Sequence, residues 1–126
     1  MAGMMAAPKI ARIEELKASV DAVAVAVVSE DGRMLCSVLP SGVSDESFAM
    51  MSATVVGAAA TVSSDLKQTP PDHIIIRGTD FTMIVARFDS ESLLVTVVGP
   101  TADPEGLVQR VDEFILAQRA LASAAR

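Results

Sequence analysis

Apolar and polar positions recur with different periods along the 126 residues, and the changes of period divide the chain into eight segments. From residue 10 to 20, apolar residues recur every three or four positions, which predicts a short amphipathic helix that begins at Pro8. Residues 22–28 read AVAVAVV and lack that period, so they predict a strand. Residues 34–39 predict a second strand, because Asp31-Gly32 between the two is typical of a tight hairpin.

The longest segment is a charge-poor helix, predicted from Ser44 to about Lys67. Ser44 is a suitable N-cap, acidic residues follow it in the first turn, and the Pro-Pro pair at 70–71 stops the helix. One stripe at helical spacing accounts for contact with a sheet: Phe48, Met51, Val55, Ala58, Val62 and Leu66. The other faces carry small residues where an exposed helix normally has Lys and Glu.

Three further strands are predicted at His73–Arg77, 81–88 and 93–98, and Asp103-Pro104 opens a last helix. The predicted order is α-β-β-α-β-β-β-α. Because every link between consecutive strands is short, we expect an α/β fold of the α+β type, with a five-stranded, mostly antiparallel sheet and helices packed on it. We assign residues 1–8 to a disordered lead-in, 9–122 to one domain and 123–126 to a frayed terminus.

The composition narrows the choice of partners and compartment. Half of the chain is apolar, which is enough for a core, and the net charge is −6 with no basic run, no Trp and no Tyr. Nucleic acid is therefore not an expected partner. Residues 47–64 carry no charge, but they also contain no Leu or Ile, so we expect a helix buried in protein on more than one side and no membrane insertion. Without a visible secretory signal, the cytoplasm is the expected compartment.

Residue types that could take part in catalysis or metal binding occur singly in the sequence. No phosphate-binding glycine loop is present, and the single histidine, His73, stands at a strand start as an edge residue. Cys36 alternates with Met34 and Val38, which is typical of a small core residue. Asp89 and Glu91 flank a hairpin, where a turn explains them better than a cation site. We therefore predict no catalytic, cofactor-binding or metal-binding residue, and a protein that is not an enzyme.

Two features indicate a protein partner. Strand His73–Arg77 is rich in Ile and has no internal Lys or Pro to protect an edge. The small residues of the long helix permit close approach by another helix, and Gly57 costs helix stability. The predicted dimer interface comprises Met50, Ala53, Thr54, Gly57, Ala60, Ser64, His73, Ile74, Ile75, Ile76 and Arg77. The alternative is that the chain's own terminal helices, strands or loops cover both surfaces.

Three stretches, VDAVAVAVVSEDGRMLCSVLPSG, HIIIRGTDFTMIVARF and LLVTVVGP, together with the small-residue helix, resemble the roadblock / dynein light chain domain over about residues 10–121. The resemblance implies a profilin-like sandwich and a homodimer or heterodimer. In such dimers the third strands pair edge to edge and the second helices lie side by side. It also implies a paired platform that binds Ras-like small GTPases, as an activator or a scaffold.

Family activators arrange the GTPase's own residues, so the resemblance gives no catalytic role to Arg33, Arg77 or Arg87. Two other classes remain open. One is a structural, light-chain-like subunit of a larger complex. The other is a PAS- or GAF-like ligand sensor, which would enclose a pocket lined by large side chains and a few polar groups. The strands are mostly Val, Ile and Ala, which favours a filled sheet over a sensor pocket.

Overall fold

The computed structural model describes residues 10–100 and 102–124, and the predicted order of eight elements is confirmed. The elements are α1 (Ile10–Ser19), β1 (Ala22–Ser29), β2 (Met34–Val38), α2 (Asp45–Asp65), β3 (His73–Arg77), β4 (Thr82–Arg87), β5 (Ser92–Val98) and α3 (Pro104–Ala124). The assigned lead-in, residues 1–8, lies outside the described residues, as do 125–126. α3 continues into residues 123–124, because alanine sustains a helix beyond its last core contact.

The five strands form one sheet in the order β2-β1-β5-β4-β3, and every neighbouring pair is antiparallel. β1 and β5 occupy the centre, where they pair from Ala22 opposite Val98 to Ser29 opposite Ser92. Short turns join β1 to β2, β3 to β4 and β4 to β5, as the antiparallel prediction requires. The two strands at the edges of this sheet are β2 and β3.

The β1–β2 turn is held by its own polar groups and lies close to α2. The Ser29 N–H donates to the Arg33 carbonyl at 2.9 Å, and the Ser29 hydroxyl donates to the Asp31 carboxylate. Hydrogen bonds from Ser29 and Arg33 lower the pKa of Asp31. Gly32 has a φ of 90°, and a Cβ there would meet the Met50 Cα at 3.4 Å. Glycine therefore satisfies both the turn and the close approach of the helix.

The helices divide between the two faces of the sheet. α1 and α3 cover one face, where Ile13, Val111 and Ile115 pack with Phe88 and Leu94. α2 lies alone on the other face, and its core contains Ala26, Val28, Ala49, Val85, Leu93 and Val95. Helices on both faces of a central antiparallel sheet give the predicted sandwich. They also leave α2 without a second helix beside it among the described residues.

The side of α2 that faces the sheet differs from the prediction. Ala49 and Ser52 are its buried residues, and Phe48 and Val56 pack against the same core. Most of the predicted sheet-facing stripe is instead open: Met51 is 53 %, Val62 58 % and Leu66 65 % exposed. Small side chains let the helix approach a Val- and Leu-rich sheet closely, so they face inward. The expected burial of α2 on more than one side is likewise wrong for the isolated chain.

Candidate functional site

The third strand of the chain has an open edge. β3 pairs with β4 on one side, from His73 opposite Ala86 to Arg77 opposite Thr82, and it is the last strand of the sheet. An unpaired strand edge presents a row of N–H and C=O groups that a second strand can bind. Ile75 at its centre is 44 % exposed.

The hydrogen-bond phase of β3 shows which backbone groups face outward. The Gly78 N–H donates to the Phe81 carbonyl at 2.8 Å and closes the β3–β4 turn. In an antiparallel pair, residues alternate between bonded and non-bonded positions. Counting back from Gly78 in steps of two, the even-numbered residues of β3 bond to β4. The odd-numbered residues direct their N–H and C=O groups to the open side: His73, Ile75 and Arg77.

An apolar groove lies between α2 and the part of the sheet that leads to this edge. Its volume is about 360 Å³, and it is bounded on α2 by Phe48, Met51 and Val55 and on β4 by Met83. Ile74 and Met83 are only partly buried against the core below. The exposed flank of α2 and the open edge of β3 thus lie on the same side of the molecule. Together they form one surface, which we name the edge surface. It consists of strand β3 and the α2 residues Met51, Val55 and Val62.

The residues of the predicted interface occupy two separate places. The β3 residues form the open edge, whereas Met50 and Ala53 of the α2 set lie beside Gly32 of the β1–β2 turn. Met50, Thr54, Gly57 and Ser64 are exposed, and Ala53 and Ala60 are half-buried. Met51 and Val62 are exposed and Val55 is half-buried, whereas the sequence predicts that all three face the sheet. Nothing in the sequence separates the two flanks, since both are apolar or small.

The opposite face of β3 carries a polar contact to α3. The His73 Nε2 lies 2.8 Å from the Asp112 Oδ1, and both side chains are partly exposed. They line a cleft of about 390 Å³ that also includes Asp72, Arg87 and Arg119. Arg87 is bound by the Glu30 carboxylate, and Arg119 donates to the Phe88 carbonyl at 3.3 Å. The cleft thus brings side chains of both charges together at the end of the edge strand.

Cys36 packs against the core, and Asp89 holds the turn between β4 and β5. Burial raises the pKa of the half-buried Cys36 thiol, which lowers its nucleophilicity near neutral pH. Asp89 accepts hydrogen bonds from the Glu91 N–H at 2.9 Å and the Ser92 hydroxyl at 2.7 Å, which explains it as a turn residue. Over residues 10–100 and 102–124, no group of three His, Cys, Asp or Glu side chains is placed to hold a metal ion.

Helix α2 also bears on the question of a membrane. In the part of the chain that the structure describes, it is the one helix long and apolar enough to cross a bilayer by length and composition. A single such helix is weak evidence, because helices that pack within proteins pass the same test. Here its inner side packs on the sheet through Ala49 and Ser52.

Comparison with known proteins identifies the family. The family model described as "Roadblock/LC7 domain" matches residues 12–98, which run from within α1 to the end of β5 and include α2 and all five strands. The chain belongs to the Roadblock/LC7 domain family. The matched region ends with β5, so α3 lies beyond it. No curated protein sequence matches the chain.

Solved structures with a similar fold superpose on the chain at low sequence identity. Myxococcus xanthus MglB has a TM-score of 0.82 at 16 % identity, over 90 % of this chain and 94 % of that one. A structure of MglB with a tetrameric arrangement has a TM-score of 0.81 at 15 % identity, over 100 % of both chains. Schizosaccharomyces pombe profilin has a TM-score of 0.65 at 11 % identity, over 89 % of this chain and 97 % of that one. These similarities establish the fold, including its profilin-like character.

Proposed function

We propose that this roadblock domain is a homodimeric protein-binding module that regulates or scaffolds a Ras-like small GTPase in the cytoplasm. The observation that carries the proposal is the family match over residues 12–98, together with the edge surface. In this proposal the domain comprises residues 9–122 and supplies a surface, with no active site of its own. Activation, inhibition and scaffolding are three outcomes of the same binding event, and a heterodimer is the alternative to self-association.

Self-association is supported by the position of the open edge relative to the exposed helix. A second copy pairing β3 with β3 would extend the sheet to ten strands and bring its α2 alongside the first. That helix would cover Met51 and Val62, which are exposed in the single chain, and the half-buried Val55 between them. A symmetric dimer is also the commonest closed assembly of identical chains. One symmetric contact would thus pair the open edge of β3 and cover the exposed apolar side chains of α2.

The dimer is tested first by mass. Sedimentation equilibrium at micromolar concentration should give twice the 13.1 kDa of one chain. A single-chain mass at that concentration would contradict the dimer.

The two flanks of α2 are tested by a matched pair of variants. Val55→Glu places a charge on the edge surface and should weaken the dimer, because the charge would have to be desolvated. Gly57→Leu enlarges the opposite flank, where a Cβ meets nothing within 4 Å in the single chain. If the predicted small-residue set forms the interface, Gly57→Leu should overpack it by roughly 1–3 kcal/mol. Loss of the dimer with Gly57→Leu and not with Val55→Glu would assign the interface to the small flank. Circular dichroism of both variants verifies that the fold is retained.

GTPase binding rests on family membership and on the broad surface that two joined α2 helices would make. Such a surface is pre-formed, so any response to nucleotide would come from the switch loops of the GTPase. We therefore expect different affinities for the GTP-bound and GDP-bound partner. The partner of choice is a small GTPase that is co-encoded with this chain or co-purifies with it.

The decisive measurement is titration of the dimer against that GTPase loaded with each nucleotide. Unequal dissociation constants support a switch-reading regulator. Equal constants would restrict the role to a scaffold, and no binding to any cellular GTPase would leave the structural-subunit alternative. The effect on hydrolysis, measured in the same samples, separates an activator from an inhibitor.

A further inference from the structure

The edge strand is self-complementary in charge. Its first end carries two carboxylates, those of Asp72 and Asp112, beside His73. Its other end carries Arg77, which is exposed and forms no ion pair with any described residue. The two ends are about 13 Å apart along the strand, so one chain cannot join them. An antiparallel second copy brings the opposite ends together.

The register of such a pairing follows from the outward groups. Only registers that place odd-numbered residues opposite one another let those groups bond across the edge. Among these, the register centred on Ile75 is the one that pairs all five residues of β3. It places Ile75 opposite its own copy and Arg77 opposite His73 of the second chain.

The faces of the sheet also match in this register. The His73 side chain contacts Asp112 of α3, so the odd-numbered side chains of β3 lie on the α3 face. A two-fold axis perpendicular to the sheet keeps the α3 faces of both protomers on one side. Cα atoms of directly opposed bonded residues are about 5.5 Å apart. Arg77 then lies directly opposite the His73 of the second copy, and that His73 ring is 2.8 Å from its own Asp112 carboxylate.

We propose that Arg77 of each protomer binds the Asp112 carboxylate of the second copy, so that the His73–Asp112 pair is completed across the interface. This inference rests on the dimer of the proposed function. Asp112 uses Oδ1 for His73, and a carboxylate accepts further donors on its second oxygen. Asp72 adds negative charge at the same end. The symmetric dimer therefore contains two such bridges. They favour the register centred on Ile75, and they favour a second copy of this chain as the strand that pairs with β3.

The test mixes two charge-reversed variants. Arg77→Glu places two carboxylates in each bridge of its homodimer, and Asp112→Arg places two cations in each bridge of its own. Each variant alone should dimerise at least about tenfold more weakly than the wild type. A heterodimer of the two has one reversed bridge and one native bridge, both attractive. Its dissociation constant should return to within about threefold of the wild-type value. Native mass spectrometry distinguishes the three dimers by mass.

Controls make the same charge changes away from the edge. Arg110→Glu and Glu113→Arg lie on α3, are exposed, and should leave the dimer unchanged alone and when mixed. If the wild type is a dimer and the mixed variants bind no more tightly than each alone, the bridge is refuted and the dimer stands. If the wild type has the mass of one chain, the dimer and the bridge are both refuted. Selective recovery in the mixture supports the bridge, because an intrachain contact gains nothing from a second variant chain.

Discussion

At the scale of single residues, two buried hydroxyls lack the hydrogen bonds that burial normally demands. Thr82 on β4 and Thr96 on β5 are fully buried, and their Oγ1 atoms have no partner among the described residues. Thr82 lies opposite Val98, and Thr96 lies opposite Ile84. Because these neighbours are apolar, the two hydroxyls lose hydration in the core without an equivalent bond.

Thr96→Val should therefore stabilise the domain. Valine has the same branched shape, so the change removes the unpaired hydroxyl without leaving a cavity. We expect the free energy of unfolding to rise by about 1 kcal/mol, measured by urea denaturation at fixed protein concentration. Thr61→Val on the exposed side of α2, where the hydroxyl donates to the Gly57 carbonyl, is the control and should change stability by less. A fall in stability of Thr96→Val would show that this hydroxyl is satisfied in solution.

At the scale of elements, the backbone groups of successive β3 residues point alternately to β4 and to the open edge. Ile76 directs its N–H to β4, and Ile75 directs its N–H to the open side. Proline cannot donate, and it is tolerated in a strand where the missing N–H would face outward. Proline substitutions at these two neighbouring positions of β3 can therefore test folding and association separately.

Ile75→Pro should abolish or strongly weaken the dimer and leave the monomer folded, because it removes the paired donors at the centre of the proposed strand contact. Ile76→Pro should destabilise the monomer itself by at least about 1 kcal/mol, since it removes a ladder hydrogen bond to β4. Sedimentation equilibrium reports association, and urea denaturation reports folding. An unchanged dimer in the folded Ile75→Pro variant would contradict edge-to-edge pairing.

At the scale of the whole molecule, charge and motif content bear on nucleotide chemistry. The net charge is −6, and the sequence has no glycine loop joined to a positioned lysine at a helix start. Phosphate binding normally combines such a loop with a helix N-terminus and a magnesium ligand. The sequence therefore predicts no nucleotide site in this chain.

The isolated protein should bind neither GTP nor GDP. Isothermal titration with each nucleotide and Mg²⁺ should give no saturable heat at concentrations where the partner GTPase is saturated. The partner, titrated in the same buffer, is the positive control. Saturable GTP binding by this chain alone would overturn the proposal of a module without its own nucleotide site.

The sequence by itself determined the order of the elements, the β1–β2 turn and the family resemblance. These depend on local signals: hydrophobic period, Asp31-Gly32 in the turn, Ser44 as a cap and a proline stop. It also showed that β3 has no internal Lys or Pro to protect it, so that a second chain could extend the sheet there if the strand lay at an edge. The cap is seen directly, since the Ser47 N–H donates to the Ser44 hydroxyl at 3.2 Å.

The tertiary structure alone decided the strand order, the side of α2 that faces the sheet and the contact between His73 and Asp112. Both flanks of α2 are apolar or small, so periodicity gives two solutions that differ by a rotation of the helix. The sheet selects between them, because Ala49 and Ser52 admit close approach where Met51 does not. His73 and Asp112 are 39 residues apart, and only the packing of α3 across the sheet brings such distant groups together.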